Sequence, residues 1–312
     1  MADRRRMTAD RRPPADQVPG VRGQGSGKRV LPLEPGTWNP APSARPVLKW
    51  VGGKGRLLPE LLARLPQTFG TYHEPFVGGG SLFFALAGAG RLGQVYLSDA
   101  NAALIDVYLA LRDDVDRVIA ALRGHRYDRD HYYRVRAQRP AELSLPERAA
   151  RVIYLNKTCY NGLYRENRAG QFNVPFGRYV NPTICDEPNL RAASAILQQV
   201  DIARRRFDII LDYANEGDFV YFDPPYVPLS PTANFTTYDR AGFGPDDQTQ
   251  LRDVFAELAR RAVRAMLSNS DTPFVRELYA GFRVEQLFAA RAVNSRANGR
   301  GKVAEVIVWN YQ

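Results

Sequence analysis

The stretch that decides the fold is Phe219-Val220-Tyr221-Phe222-Asp223-Pro224-Pro225-Tyr226. Its first four residues, all aromatic or β-branched, read as a buried strand. Pro224 and Pro225 lack the N–H that a sheet ladder needs, so the strand stops at Asp223. The turn beyond is rigid and extended. It holds a carboxylate, backbone carbonyls and a tyrosine ring at the carboxyl edge of a sheet, which is where ligands bind in open α/β folds. A carboxylate and carbonyls accept hydrogen bonds from an amino group while the ring stacks on the base carrying it. Such equipment suits methylation of an exocyclic amine. Asp-Pro alone would be an ordinary strand end; the whole tetrapeptide after an apolar strand points to a site.

Upstream, Tyr72-His73-Glu74-Pro75-Phe76-Val77-Gly78-Gly79-Gly80-Ser81 followed by Leu82 to Ala87 reads as strand, glycine turn, helix. Glycines let a ligand approach the backbone, and the helix N-terminus supplies free amides. Many α/β proteins carry such a turn only to reverse tightly. The next strand, Gln94 to Asp99, ends in an acid about 20 residues beyond the glycines, the spacing at which a carboxylate meets ribose hydroxyls. Together the two features indicate a nucleoside-type cofactor, without separating NAD from S-adenosylmethionine. Asp99-Ala100-Asn101 also reads as an N-cap for a helix from about Leu104 to Leu111.

Around these lies a chain of 312 residues, 45% hydrophobic and 24% charged, sized for one large core or two domains. It has no apolar run long enough to span a bilayer and no apolar segment behind its basic start, so neither a membrane protein nor a secreted one is expected. Cys159 and Cys185 are too few for a disulfide framework or a zinc site, and a reducing cytoplasm is the expected location. Half of the net charge of +10 sits in residues 1–46, which carry nine basic and four acidic groups. This Arg/Pro/Gly-rich stretch reads as a disordered arm, either a loose contact for DNA or a dispensable extension. The remainder is mildly basic, which permits a polyanionic partner.

Order is expected from Val47, with a helix from Leu57 to about Leu65. Residues 102–188 are expected to be an insert, helical up to about Lys157. Between Asn156 and Tyr179 amides, aromatics and arginines interleave among turn formers, as in a surface that reads base edges or as in a solvated polar hairpin. A helix near 189–199, a strand near 200–204 and helical residues 208–214 then lead to the deciding strand. Residues 227–238 read as a mobile loop, 246–261 as an amphipathic helix and 262–268 as a strand ending in Asn269-Ser270-Asp271. Residues 282–288 and 303–311 read as an antiparallel pair joined by a basic loop at 295–301.

Taken jointly, these motifs resemble the Dam-type (D12 class, alpha group) DNA adenine-N6 methyltransferases over about residues 47–311. The resemblance rests on Lys49-Trp50-Val51-Gly52-Gly53-Lys54, Glu74 to Ser81, Asp99-Ala100-Asn101, Tyr160-Asn161-Gly162-Leu163, Gly170 to Tyr179 and Asp223 to Tyr226, in family order. Leu229 to Thr236 is similar to the family's loop after the last of these.

The resemblance implies a Rossmann-like α/β S-adenosylmethionine-dependent methyltransferase sheet, formed by 47–101 and 189–312, with 102–188 as a mostly helical target-recognition domain. It implies S-adenosylmethionine contacts from Trp50, Lys54, Glu74, Pro75, Phe76, Gly78, Gly80, Asp99 and Asp223. Asp223, Pro224, Pro225 and Tyr226 would form the catalytic turn that holds a flipped adenine. Lys157, Tyr160, Asn161, Leu163, Arg165, Pro175, Arg178 and Tyr179 would contact double-stranded DNA: Tyr160 as a wedge, Asn161 and Leu163 at the opened pair, Arg165 on a guanine, Lys157 and Arg178 on phosphate. GATC is the implied site. Lys157 stands where the family usually has arginine, a point charge in place of a bidentate fork. No metal is expected, and a monomer is. The same chemistry on cytosine N4 or on RNA, a nicotinamide-dependent dehydrogenase and a catalytically silent DNA-binding regulator are the rival readings. Asp223-Pro-Pro-Tyr226 disfavours the dehydrogenase.

Overall fold

The computed structural model describes residues 43–50, 52–167, 169–227, 243–290 and 302–312. Most of the expected arm, the expected mobile loop and the expected basic loop lie outside the described residues. Residues 43–46, read above with the arm, belong to the folded part: Ala44 is buried, and the Arg45 backbone amide donates to Asn189 Oδ1 at 2.9 Å.

Among the described residues seven strands form one sheet in the order β3-β2-β1-β4-β5-β7-β6. These are β1 (Tyr72–Glu74), β2 (Val95–Asp99), β3 (Val200–Arg204), β4 (Phe219–Phe222), β5 (Arg264–Ser270), β6 (Arg283–Ala290) and β7 (Lys302–Trp309). The first five in chain order run parallel to one another, and β7 lies antiparallel between β5 and β6. The mixed α/β class expected from sequence is the one observed. Strand β4 occupies the centre, and all four of its residues are buried, as a parallel strand covered on both faces must be. Period-two alternation sorts its side chains: Phe219 and Tyr221 face one core, Val220 and Phe222 the other. Met266 and Ile307 join the first core, and Ala265, Leu267, Val306 and Val308 the second.

The helices are α1 (Leu58–Ala63), α2 (Ser81–Gly88), α3 (Ala102–Arg123), α4 (Arg129–Ala137), α5 (Leu145–Thr158), α6 (Glu187–Leu197), α7 (Pro245–Arg260) and α8 (Pro273–Leu278). Local chemistry starts several of them. Asn101 Oδ1 accepts from Leu104 N–H at 3.1 Å, and Asp128 Oδ1 from His131 N–H at 2.7 Å. A Ser144–Glu147 capping box with proline in the first turn opens α5. Helix α3 runs well past the expected Leu111 and kinks at Asp114, whose φ of −157° is not helical. Residues expected to be helical at 208–214 form a tighter 3-10 turn, Phe207–Asp212. Helix α8 was not expected; six residues are too few to show a helical period. No helix among the described residues is long and apolar enough to cross a membrane.

The helical region between β2 and β3 has no core of its own. Leu104, Tyr132, Ile153, Tyr154 and Val174 belong to the same buried cluster as Leu82, Phe83 and Phe219. Within it His125 Nδ1 lies 3.0 Å from His131 Nε2, and the His125 ring stacks on Tyr154 at 4.4 Å between centroids. Burial, then the neighbouring His131, push the His125 imidazolium down to about 4. An unfolded chain binds that proton near pH 6.5. The stabilising effect of a neutral His125 is therefore complete above pH 6.5 and is lost as pH falls toward 4. The His125→Gln variant is expected to lose less thermal stability than wild type between pH 7 and pH 4.5, followed by circular dichroism. Parallel losses would rule the histidine out as a source of acid sensitivity.

Candidate active site

Strands β2, β1 and β4 are adjacent and parallel, so their carboxyl ends share one edge. Each end carries an acid: Asp99 closes β2, Glu74 closes β1, and Asp223 follows β4. Strand order reverses between β1 and β4, opening the crevice in which doubly wound sheets hold ligands.

Asp223 is the most constrained of the three. Lys54 Nζ lies 2.6 Å from its Oδ1, and Ser268 Oγ donates to the same oxygen at 3.1 Å. Tyr221 OH, 3.0 Å from Ser268 Oγ, completes a buried relay. Burial pushes the Asp223 carboxyl up, and the Lys54 ammonium opposes that push. Lys54 is itself buried; its Nζ also donates to Gly52 O at 2.5 Å and sits 4.4 Å from the centre of the Tyr226 ring. The Tyr226 hydroxyl donates to Glu305 Oε2 at 2.7 Å. The turn is pinned from behind: Gln248 Nε2 donates to Pro225 O at 2.9 Å, Asn269 Oδ1 accepts from Val227 N–H at 3.2 Å, and Ser270 Oγ donates to Val227 O at 2.6 Å. The Pro225 carbonyl is thus committed to the scaffold.

Glu74 is fully enclosed. Its carboxyl accepts from Tyr72 OH at 2.8 Å and from the amide of Phe83 in the first turn of α2. Burial dominates and pushes it up to about 8, with Asp223 and Asp99 adding to the rise. Asp99 is half-buried; its oxygens accept from Gly78 N–H at 3.2 Å and Asn101 N–H at 2.9 Å. The glycine turn is required by close approach. Gly78 has φ of +46°, and a Cβ there would meet the Trp50 indole at 2.8 Å. Tyr108 OH donates to Gly78 O at 2.9 Å and closes the turn from α3. Pro75 is buried in this turn, whereas Phe76 stacks on Phe207 at 5.4 Å and belongs to the hydrophobic layer.

Residues 159–167 and 169–178 form the two sides of a hairpin carried by α5. Tyr160 N–H donates to Pro175 O at 2.9 Å, Gly177 N–H to Thr158 O at 2.8 Å and Asn173 N–H to Arg165 O at 3.0 Å. Helix α4 supports it through Tyr132 OH, which donates to Val174 O at 2.8 Å. Tyr160, Asn161, Arg165, Pro175 and Arg178 are exposed on it, Leu163 is half-buried, and Arg165 Nε donates to Asn173 Oδ1 at 2.7 Å. Tyr179 lies half-buried beneath Lys49, whose Nζ is 4.7 Å from its ring centre. Lys157 is half-buried, and its ammonium is pushed down by burial and then by Lys49. Cys159 is buried, donates to Leu163 O at 3.2 Å, and is pushed up to about 12 by burial.

Asn156 joins the two halves. Its Oδ1 accepts from Lys49 N–H at 2.8 Å; its Nδ2 donates to Lys49 O at 2.7 Å and to Gly162 O at 3.0 Å. Gly162, φ +66°, lies so close that a Cβ would sit 2.7 Å from Lys49 Cδ. Sequence reading missed Asn156, Gln248, Ser268 and Glu305 as site components. The polar triplet Ser268-Asn269-Ser270, ending an apolar strand, was the available signal for one of them; the others lie on helix faces and on β7, inside the sheet, without one.

The D12 class N6 adenine-specific DNA methyltransferase family matches residues 50–293, and the chain belongs to it. It is an adenine-N6 DNA methyltransferase, with S-adenosylmethionine as methyl donor and DNA as substrate. Among its relatives is the Type II methyltransferase M1.LlaDCHI of Lactococcus lactis subsp. cremoris, 40% identical over 275 residues, covering 86% of this chain and 95% of the relative. The Type II methyltransferase M.MjaIII of Methanocaldococcus jannaschii is 39% identical over 286 residues, covering 86% and 99%. The DNA adenine methylase of Escherichia coli K12 is 33% identical over 267 residues, covering 84% and 94%.

The site fits a cationic, nucleoside-bearing donor. Three acids meet at one edge, one of them holding its proton near neutrality because it is buried, and the glycine turn brings a backbone amide beside Asp99. Because Glu74 titrates near 8 when folded and near 4.5 when unfolded, unfolding releases a proton between those values, and stability falls as pH rises through that window. The Glu74→Gln variant removes this. Urea unfolding of ligand-free protein is expected to show the variant gaining on wild type by roughly 1.4 kcal/mol per pH unit from pH 5 to 8. Curves that stay parallel would show that Glu74 titrates normally.

Proposed function

We propose that the enzyme methylates N6 of an adenine flipped out of duplex DNA, within GATC, by direct transfer and as a monomer. The observation that carries the reading is the turn after β4, where Asp223 and the Tyr226 ring stand together beside Lys54 at the crevice. With Asp223 Oδ1 committed to Lys54 and Ser268, Oδ2 and the Pro224 carbonyl are the acceptors for the two N6–H bonds. Tyr226 stacks on the base. Holding both hydrogens in this way draws the nitrogen lone pair out of the ring and aims it. Flipping costs a few kcal/mol, which stacking and these hydrogen bonds offset.

S-adenosylmethionine, when bound, supplies a methyl group already made electrophilic by its sulfonium. Trp50, Lys54, Glu74, Pro75, Phe76, Gly78, Gly80, Asp99 and Asp223 are the residues proposed to hold it. Phe76 acts there from the hydrophobic layer, by shaping the floor of the turn. Positioning, rather than bond-making by the protein, is the chain's contribution. Cys159, with its thiol pushed up to about 12 beneath the hairpin, takes no part.

Residues 102–188 carry recognition in this reading. Tyr160, 43% exposed next to left-handed Asn161, wedges into the stack in this reading, with Leu163 behind it. Arg165 reads a guanine, its plane set by Asn173. Pro175 and Tyr179 border the remaining bases. Arg178 contacts phosphate directly, and half-buried Lys157 does so as a point charge.

Mapping N6-methyladenine at base resolution, in DNA from a methylation-free host expressing the enzyme, tests the reading. Modification confined to GATC is expected; another motif would overturn the recognition roles, and unmodified adenine in folded protein would overturn the chemistry. Asp223→Ala is expected to abolish methylation while the fold survives, so near wild-type rates in that variant would remove Asp223 from its role. Arg165→Ala is expected to lower kcat/KM on the cognate site by 1–3 kcal/mol, about 5- to 150-fold, and to narrow the gap to sites altered at the guanine. Equal losses on all sites would assign Arg165 to phosphate instead.

A further inference from the structure

We infer that Glu305 is a positioning residue for Tyr226, which makes the antiparallel strand β7 part of the working site. The inference rests on the proposed stacking role of Tyr226. Prolines 224 and 225 fix the backbone entering Tyr226, but they leave its side chain free to swing. Two contacts remove that freedom. The phenol donates to Glu305 Oε2 at 2.7 Å, which sets where the long axis of the ring points. Lys54 Nζ, 4.4 Å from the ring centre, covers a face.

Sheet register explains why Glu305 is suited to the task. Its Cα partner across the antiparallel pair is Ser270. Ser270 Oγ holds Val227 O at 2.6 Å. One rung of the sheet therefore anchors both the tyrosine ring, from β7, and the backbone of the next residue, from β5. A carboxylate acceptor also makes the phenol a committed donor, through a bond of the stronger, charge-assisted kind. Glu305 lies on β7, the strand neighbouring β5, beyond the chain segments that the turn and its helices supply.

The test is a double-mutant cycle on purified full-length enzyme, with GATC duplex and saturating S-adenosylmethionine, each variant first shown to keep its Tm within a few degrees. Glu305→Ala is expected to lower kcat about tenfold, with KM for S-adenosylmethionine unchanged, as expected for loss of one charged hydrogen bond felt mainly in the transition state. Glu305→Gln, which keeps an acceptor, is expected to recover most of that rate. In a Tyr226→Phe background, where the hydroxyl is gone, Glu305→Ala is expected to add no further loss. An equal tenfold loss in both backgrounds would overturn the inference, because Glu305 would then act by another route. A wild-type kcat in Glu305→Ala would overturn it too. Tyr226→Ala separates this inference from the reading beneath it. Full activity there would remove the stacking role itself, whereas lost activity there beside an active Glu305→Ala would remove only the role of Glu305.

Discussion

The contact between Lys54 and Asp223 is the constraint to which the rest of the site answers. A carboxylate taken out of water at the head of a central strand needs a partner at contact distance, because breaking such a pair leaves an uncompensated charge at a cost of about 3–5 kcal/mol. Lys54 supplies that partner from a 3-10 turn, Lys54–Arg56, near the first of the described residues. Its ammonium is fully spoken for: the Gly52 carbonyl, the Asp223 carboxyl and the face of Tyr226 surround it. The segment before β1 is thereby tied to the turn after β4, although some 170 residues separate them.

Glu74 shows what happens at the same edge without an ammonium at hand. Tyr72 and Phe83 give it hydrogen bonds, yet burial prevails and the proton stays on to about pH 8. Two carboxyls on neighbouring strand ends are thus driven to different behaviour by what stands beside each, as in sites that divide acid and base work between like residues. The clamp of Asn156 extends the same economy of parts. One buried amide satisfies both backbone groups of Lys49 and the Gly162 carbonyl, so the entry to the glycine-rich edge is tied to the base of the hairpin.

Much of this was legible in the chain. The run from Phe219 to Phe222 announces a strand buried on both faces, and Pro224 and Pro225 fix its end. Strand β3 was expected at the residues where it lies, because a turn and a helix bracket it. Helix α3 outran its expected end because its acidic stretch around Asp113 and Asp114 hides the apolar period, and the kink there shifts the phase. The acid and ring of the turn after β4 could be read locally, since one tetrapeptide carries both. Gln248, Ser268 and Glu305 could not, since each reaches the turn from a different element, and only strand order and register bring those elements together. Asn156 opened the stretch read as a base-edge surface or a solvated hairpin; it is buried instead, because the segment carrying Lys49 folds over it.

The shared core has a consequence for how such an enzyme can change its target. Leu104, Tyr132, Ile153 and Tyr154 pack in one cluster with Leu82, Phe83 and Phe219, so the helical region is no cassette. Exchanging it whole at 101 and 189 with a distant relative would set two unrelated halves of one hydrophobic interior against each other, and mismatched interiors leave voids or clashes. The hairpin rim is the part that tolerates exchange, because Tyr160, Asn161, Arg165 and Arg178 project from it into solvent. In the proposed reading, new specificities are therefore reached by substitution at the rim, one side chain at a time, over an interior that is kept intact.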